Sequence, residues 1–163
     1  MKKLIVIILM GTVLMGCSTS VNNSEKNIAL VEKYIKAVEN LDSEGMDKFL
    51  AEDYMGYGPS HDNEINKEDA IKNWKESSEN LYKSIKYTKS RNIAVTIPDG
   101  ENKGEWVTNW AELKIVYKKD NAEVILWANT LYQIENDKII KSYTIYNEAD
   151  ALHQLGYIFI NDN

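Results

Sequence analysis

Glu123–Tyr157, EVILWANTLYQIENDKIIKSYTIYNEADALHQLGY, is the stretch on which the fold turns. Ala122–Glu135 is rich in strand formers: Val124, Ile125, Leu126, Trp127, Leu131, Tyr132 and Ile134. Lys138–Tyr146 is a second such run, with Ile139, Ile140, Tyr143, Ile145 and Tyr146. Between them stands Asn136-Asp137, a pair that tolerates positive φ and so suits a two-residue hairpin turn. That turn sets Ile134 opposite Ile139. Asn147-Glu148-Ala149-Asp150 then begins a short closing helix, its acidic side chains at the favourable end of the macrodipole and Gly156 at its stop.

Working outward, Trp106–Tyr117 is a further strand, and Ile85–Tyr87 or Ile93–Ile97 another. Pro98-Asp99-Gly100 and Asp120-Asn121 are the turns between them. A two-residue turn at Asp120-Asn121 pairs Tyr117 with Val124, Trp110 with Leu131 and Lys114 with Trp127. Alternation then gives one mainly aliphatic face, which includes Val107, Asn109, Ala111, Leu113, Leu126, Thr130, Tyr132, Tyr143, Ile145 and Asn147. The other face carries Trp106, Trp110, Lys114, Ile125, Trp127, Leu131, Ile140, Thr144 and Tyr146.

The part before these strands is helical. Over Ser24–Leu41 the residues Ile28, Leu30, Val31, Tyr34, Ile35, Ala37, Val38 and Leu41 occupy half of a helical wheel. So wide an apolar arc predicts a helix lying in a curved sheet. Ser43 opens a short second helix with Met46, Phe49 and Leu50 inward, and Tyr54–Tyr57 is a brief strand ended by Gly58-Pro59. Asn66 caps a third helix, with Asp69 three residues on, an Ile65–Ala70 staple, and Ile71, Trp74 and Leu81 or Tyr82 on its buried side. Helices followed by an antiparallel meander make the class α+β.

At the start of the chain Lys2 and Lys3 precede the apolar run Leu4–Met10, continued by Val13, Leu14 and Met15. The run is too short to span ~30 Å of hydrocarbon, and its basic-then-apolar order is that of a secretory signal. Leu14-Met15-Gly16-Cys17 resembles the bacterial lipobox. That resemblance implies cleavage before Cys17 and a lipid on its sulfur and amine. The expected organisation is a signal peptide at 1–16, a lipidated cysteine and flexible tether at 17–25, and one domain at 26–163, exported to the cell envelope and held at the membrane by its acyl chains. Cys17 is the only cysteine, which excludes an intramolecular disulfide, thiolate catalysis beside the anchor and cysteine-based metal sites. With 25 acidic against 19 basic residues, more acidic still once Lys2 and Lys3 are gone, nucleic acid is not an expected partner.

Three segments, in this order, resemble the SnoaL-like branch of the nuclear transport factor 2-like superfamily. They are Leu50-Ala51-Glu52-Asp53-Tyr54 with Gly58-Pro59, the Ala70-Ile71…Trp74 helix, and Asp137-Lys138-Ile139 followed by Gln154-Leu155-Gly156. The resemblance implies a cone in which a curved, mostly antiparallel sheet wraps the long N-terminal helix and leaves a pocket. It does not imply one activity, since the family holds polyketide cyclases, ketosteroid isomerase-like enzymes, dehydratases and proteins that only bind. In its cyclases an aspartate just before the closing helix is the acid/base. Here that position is Asn147, an amide with no usable pKa.

Asn147 reads first as a helix N-cap, and second, with Asn109, as an amide facing a ligand. His61-Asp62 is the remaining acid/base candidate, in a loop of Pro, Ser, Asp and Asn. Two histidines without repeated carboxylate spacing make no metal site, and no cofactor motif is present. Ten Tyr and four Trp against two Phe favour rings with a polar handle, the kind that line ligand pockets. Tyr34, Tyr54, Trp74, Tyr132 and Tyr143 are the ones assigned to the cavity. Two functions follow: an envelope lipoprotein binding a small apolar or amphiphilic molecule without catalysis, or a cyclase- or isomerase-like enzyme using another acid such as Asp62. A homodimer through Trp106, Trp110, Trp127 and Leu131 is expected from the indole-bearing face.

Overall fold

In the computed structural model, residues 18–158 are described. Cys17 and the apolar run before it lie outside them. Helix α1 (Ser18–Glu39) is followed by α2 (Ser43–Asp47), β1 (Leu50–Tyr57), β2 (Glu64–Asn66), α3 (Lys67–Asn80), β3 (Tyr82–Ile97), β4 (Gly104–Tyr117), β5 (Glu123–Glu135), β6 (Lys138–Tyr146) and α4 (Glu148–Gln154). The strands form one sheet in the order β2-β1-β6-β5-β4-β3. Every pairing is antiparallel except β1 with β6.

The wide apolar arc of α1 does what its width requires. Val31, Tyr34, Ile35, Ala37 and Val38 are all buried in one core with Ile85, Val107, Tyr132, Ile134 and Ile139 of the sheet. The helix starts earlier than Ser24 and takes in the stretch expected as a tether, because no glycine or proline between Ser18 and Glu25 interrupts it. It ends before Leu41, which adopts φ 55°; Asp42 N–H donates to Ala37 O (2.9 Å) and Leu41 N–H to Val38 O (3.0 Å). That is the bond pattern of a left-handed C-cap, here without the usual glycine. Asn66 caps α3 as expected, its side chain accepting from Asp69 N–H at 2.9 Å.

The Asn136-Asp137 turn has φ of 51° and 61° and pairs Ile134 with Ile139. The neighbouring hairpin differs from expectation. Its loop spans Lys118–Asn121, closed by Tyr117 N–H to Ala122 O at 2.8 Å, so Trp110 faces Asn129 and Lys114 faces Ile125. A slip of two residues preserves facing, and Val124, Leu126, Ala128, Thr130, Tyr132 and Ile134 all point into the core side, buried. In β6 the facing is not preserved. Gln133 pairs with Lys141 while Ile134 pairs with Ile139, which leaves Ile140 as an extra residue. This bulge flips the rest of the strand. Ser142, Thr144 and Tyr146 turn inward, and Tyr143 and Ile145 turn outward, the reverse of the simple alternation. Tyr143 stacks there on Trp106 (6.2 Å) and Tyr57 (4.9 Å).

The two alternative short strands are one. β3 runs unbroken from Tyr82 to Ile97 beside β4, with an irregularity between Thr88 and Arg91 where Lys89 takes φ 49°. Asn109, on the inward side of β4, is only 2 % exposed and fastens this irregularity. Its amide donates to Ser90 Oγ (2.8 Å) and Asn92 Oδ1 (2.8 Å).

Candidate functional site

Between α1 and the concave face of the sheet, with α3 and α4 at its sides, lies a cavity of about 430 Å³. Its inner wall is built by position. Tyr34 and Val38 come from the buried stripe of α1, Tyr54 and Gly56 from β1, and Thr130 and Tyr132 from the inward alternation of β5. The bulged end of β6 adds Ser142, Thr144 and Tyr146, and α4 adds Glu148, Ala151 and Leu152. The Tyr34 ring meets Tyr132 edge-on at 5.7 Å. Tyr54 Oη and Ser142 Oγ share a hydrogen bond of 2.7 Å, and Thr130 and Thr144 hydroxyls meet at 3.3 Å.

The wall's chemistry is that of hydroxyls held neutral. Burial pushes the Tyr34, Tyr132 and Tyr87 phenols well above their ordinary value, and nearby phenols or the Glu39 charge add to it. Burial raises Tyr54 against the lowering effect of its Ser142 bond, and Tyr82 rises to about 12 through burial, then Tyr117 and Tyr146. At neutral pH all of these are donors and acceptors of hydrogen bonds, not bases. Among the described lining residues none is Lys, Arg, His or Asp, and Glu148 is the single carboxylate. It sits exposed in the first turn of α4, accepting from Ser60 Oγ at 3.2 Å. No three His, Cys, Asp or Glu side chains come together as a metal site among the described residues.

Of the residues singled out in the sequence, Tyr34, Tyr54, Trp74 and Tyr132 line this cavity; Asn109, Tyr143 and Asn147 do not. Asn109 is spent on the β3 irregularity and Tyr143 faces outward because of the bulge. Asn147 is a cap: its side chain accepts from Asp150 N–H at 3.1 Å. Asn147→Asp is therefore expected to change stability by a few tenths of a kcal/mol, and Asn147→Ala to cost ~0.5–2 kcal/mol, in denaturant melts. A loss of several kcal/mol in the aspartate variant would mean a buried carboxylate instead. His61 Nδ1 and Asp62 Oδ1 do lie 2.8 Å apart, but both side chains are almost fully exposed and neither borders the cavity. They make no acid/base dyad at the pocket.

Tyr82, Tyr87, Tyr117, Tyr146 and Glu148 were not foreseen as cavity residues. Tyr117 carried a signal, its place on the inward face; Tyr146 carried none, because a bulge decides its direction.

No family model matches the sequence, and no curated protein does. Solved structures do. A protein from Xanthomonas campestris pv. campestris, provisionally described as a polyketide cyclase, superimposes with TM-score 0.67 at 16 % identity, over 82 % of this chain and 98 % of that one. A LEH-like epoxide hydrolase from M. tuberculosis gives 0.59 at 14 %, over 82 % and 91 %. A nuclear transport factor 2-like protein from Burkholderia xenovorans LB400 gives 0.61 at 15 %, over 80 % and 96 %. At these identities what is shared is the fold. The six-stranded, mostly antiparallel sheet curved around α1 is a nuclear transport factor 2-like cone.

Proposed function

We propose that this chain is an envelope lipoprotein whose cone binds a small apolar or amphiphilic molecule without transforming it. The observation that carries this is the make-up of the cavity wall: aliphatic side chains and neutral tyrosines, with one carboxylate, at an exposed rim position. Such a wall offers area for apolar burial and scattered hydrogen bonds for orientation. Acid/base work needs a group that changes protonation near the working pH, and burial moves the inner phenols the wrong way.

The test uses the chain from Ser18 onward and the neutral fluorescent probe N-phenyl-1-naphthylamine. Binding with one saturable site is expected, and Ala128→Phe, which puts a ring into the cavity from β5, should weaken it at least about tenfold. Ala128 is 8 % exposed and borders the cavity. Unchanged binding in a folded Ala128→Phe protein would place the probe elsewhere.

The anchor rests on Leu14-Met15-Gly16-Cys17. Lipid on Cys17 would hold the chain at the membrane through its acyl chains. Intact mass should show Cys17 as the modified N-terminus, and Cys17→Ser should lose the acyl mass and the membrane association together. A mature chain starting at Ser18 or later without acyl mass would refute the anchor.

A further inference from the structure

Exposure grades the cavity from a dry interior to a wet mouth. Tyr34, Tyr54 and Tyr132 are buried, whereas Trp74, Tyr82, Tyr117 and Tyr146 are partly open to solvent. These four rings gather. Trp74 packs against Tyr82 with centres 6.2 Å apart and Tyr82 against Tyr117 at 5.6 Å, both tilted. Tyr146 belongs to the same group: it packs with Tyr117 against one buried cluster of Val124, Leu126, Ala128 and Ala151, and both line the cavity. Four aromatic rings and one carboxylate thus border one space.

Of the positive side chains nearby in sequence, Lys72, Lys75 and Lys83 do not border the cavity, and Lys83 Nζ donates to Asn121 Oδ1 at 2.6 Å. Lys118 Nζ donates to the carbonyls of Ser78 (3.0 Å) and Glu79 (2.6 Å), and Lys119 lies over the Tyr157 ring at 6.0 Å. Neither borders the cavity.

We propose that the mouth is a cage for an organic cation, the quaternary ammonium head of an amphiphile whose apolar body fills the interior. This rests on the cavity being a binding site. A ring face attracts a cation through its quadrupole, more strongly where water is partly excluded. A quaternary ammonium has no N–H groups, so ring faces and one carboxylate satisfy it without any hydrogen bond. Glu148 adds opposite charge from the rim while keeping its own hydration. An anionic head meets the reverse: no counter-charge, and a carboxylate at the entrance.

Displacement of N-phenyl-1-naphthylamine from the chain beginning at Ser18 by decyltrimethylammonium, decanol and decanoate, each below its micelle concentration, separates the cases. The walls all lie within residues 34–155, so this chain keeps the site. The cation should bind about tenfold tighter than decanol, and decanoate more weakly than decanol. Tyr82→Leu with Tyr146→Leu should erase the cation's advantage and leave decanol within about twofold. Glu148→Gln, at an exposed position, should cut that advantage several-fold and serves alone should the leucine variants not fold. Equal affinities for all three probes would overturn the cage and leave cavity binding standing. Failure of all three probes to displace the dye would overturn both.

Discussion

Between pH 9 and pH 12 the protein should unfold cooperatively, and most of its tyrosine ionisation should occur in that same step. In the unfolded chain a phenol ionises near pH ~10. In the folded protein Tyr34, Tyr132 and Tyr87 are held well above that by burial, and Tyr82 at about 12. A raised folded value means that the native state keeps protons the unfolded state releases. Stability is therefore fully present below pH ~10 and is lost as pH climbs through the folded values. By pH 12, Tyr82, held at about 12, contributes about 2 kcal/mol of that loss. Tyr34 and Tyr132, both nearly inaccessible, act in the same direction, against a typical domain's whole stability of about 5–15 kcal/mol. Absorbance near 295 nm and circular dichroism, followed against pH, read the two events together. A gradual titration of all ten tyrosines with the sheet signal intact would show that the inner wall is wet, and the binding cavity would lose its dry end.

The fold was legible where local chemistry and long-range pairing agree. Asn136-Asp137 fixes the last hairpin through two positive φ angles, and the Ile134–Ile139 pair follows from it. The half-wheel of α1 announced a concave partner, and the caps at Asn66 and Asn147 are set by their own side chains. What the sequence hid is backbone slippage. Nothing in Lys138-Ile139-Ile140-Lys141 marks Ile140 as the bulged residue, since either isoleucine can face inward. That one residue exchanges Tyr143 for Tyr146 at the cavity and so decides part of the site. The loop at Lys118–Asn121 moved the β4–β5 register by two, which was harmless to facing but moved Trp110 from Leu131 to Asn129.

The site was harder than the fold for a second reason. An inward amide such as Asn109 looks the same in sequence whether it meets a ligand or a backbone irregularity; only the Lys89 kink, itself unannounced, settles it. Glu148 was accounted for by helix-start electrostatics, and that account still holds, yet the same carboxylate also borders the cavity. One side chain can satisfy a local rule and serve the site as well.

The convex face carries the other large effect. Trp110 and Trp127 are 54 % and 53 % exposed, and Ile93, Val95, Ile125 and Ile145 are exposed around them. Trp106 is not part of the open patch. It is 5 % exposed, stacked on Tyr143, with its indole N–H donating to Asn102 O at 2.8 Å. Leu131 is half-buried and lines a shallow apolar hollow beside Trp106. So large an exposed apolar area is unusual for a soluble monomer, and we propose that a second copy of the chain covers it about a two-fold axis. A border with both signs of charge can meet its own copy about a two-fold axis, which a border of one sign could not. The face carries charges of both signs: Lys89 pairs with Glu112 and Lys114 with Glu123, both at 2.7 Å, and Lys86 and Arg91 stand beside Lys114 and Trp110. Lys89 also lies over the Trp127 ring at 5.5 Å, which leaves a polar border around an aromatic centre. Trp110→Glu with Trp127→Glu should weaken self-association by roughly three orders of magnitude or more, since buried tryptophans are worth ~2 kcal/mol or more each and the symmetry counts each twice. Both positions lie on the solvent side of the sheet, so the variant should melt as a folded monomer. Sedimentation velocity of the chain from Ser18 reads the outcome. A wild-type monomer at tens of micromolar, or a double variant that sediments like the wild type, would remove the dimer and leave the patch without a partner.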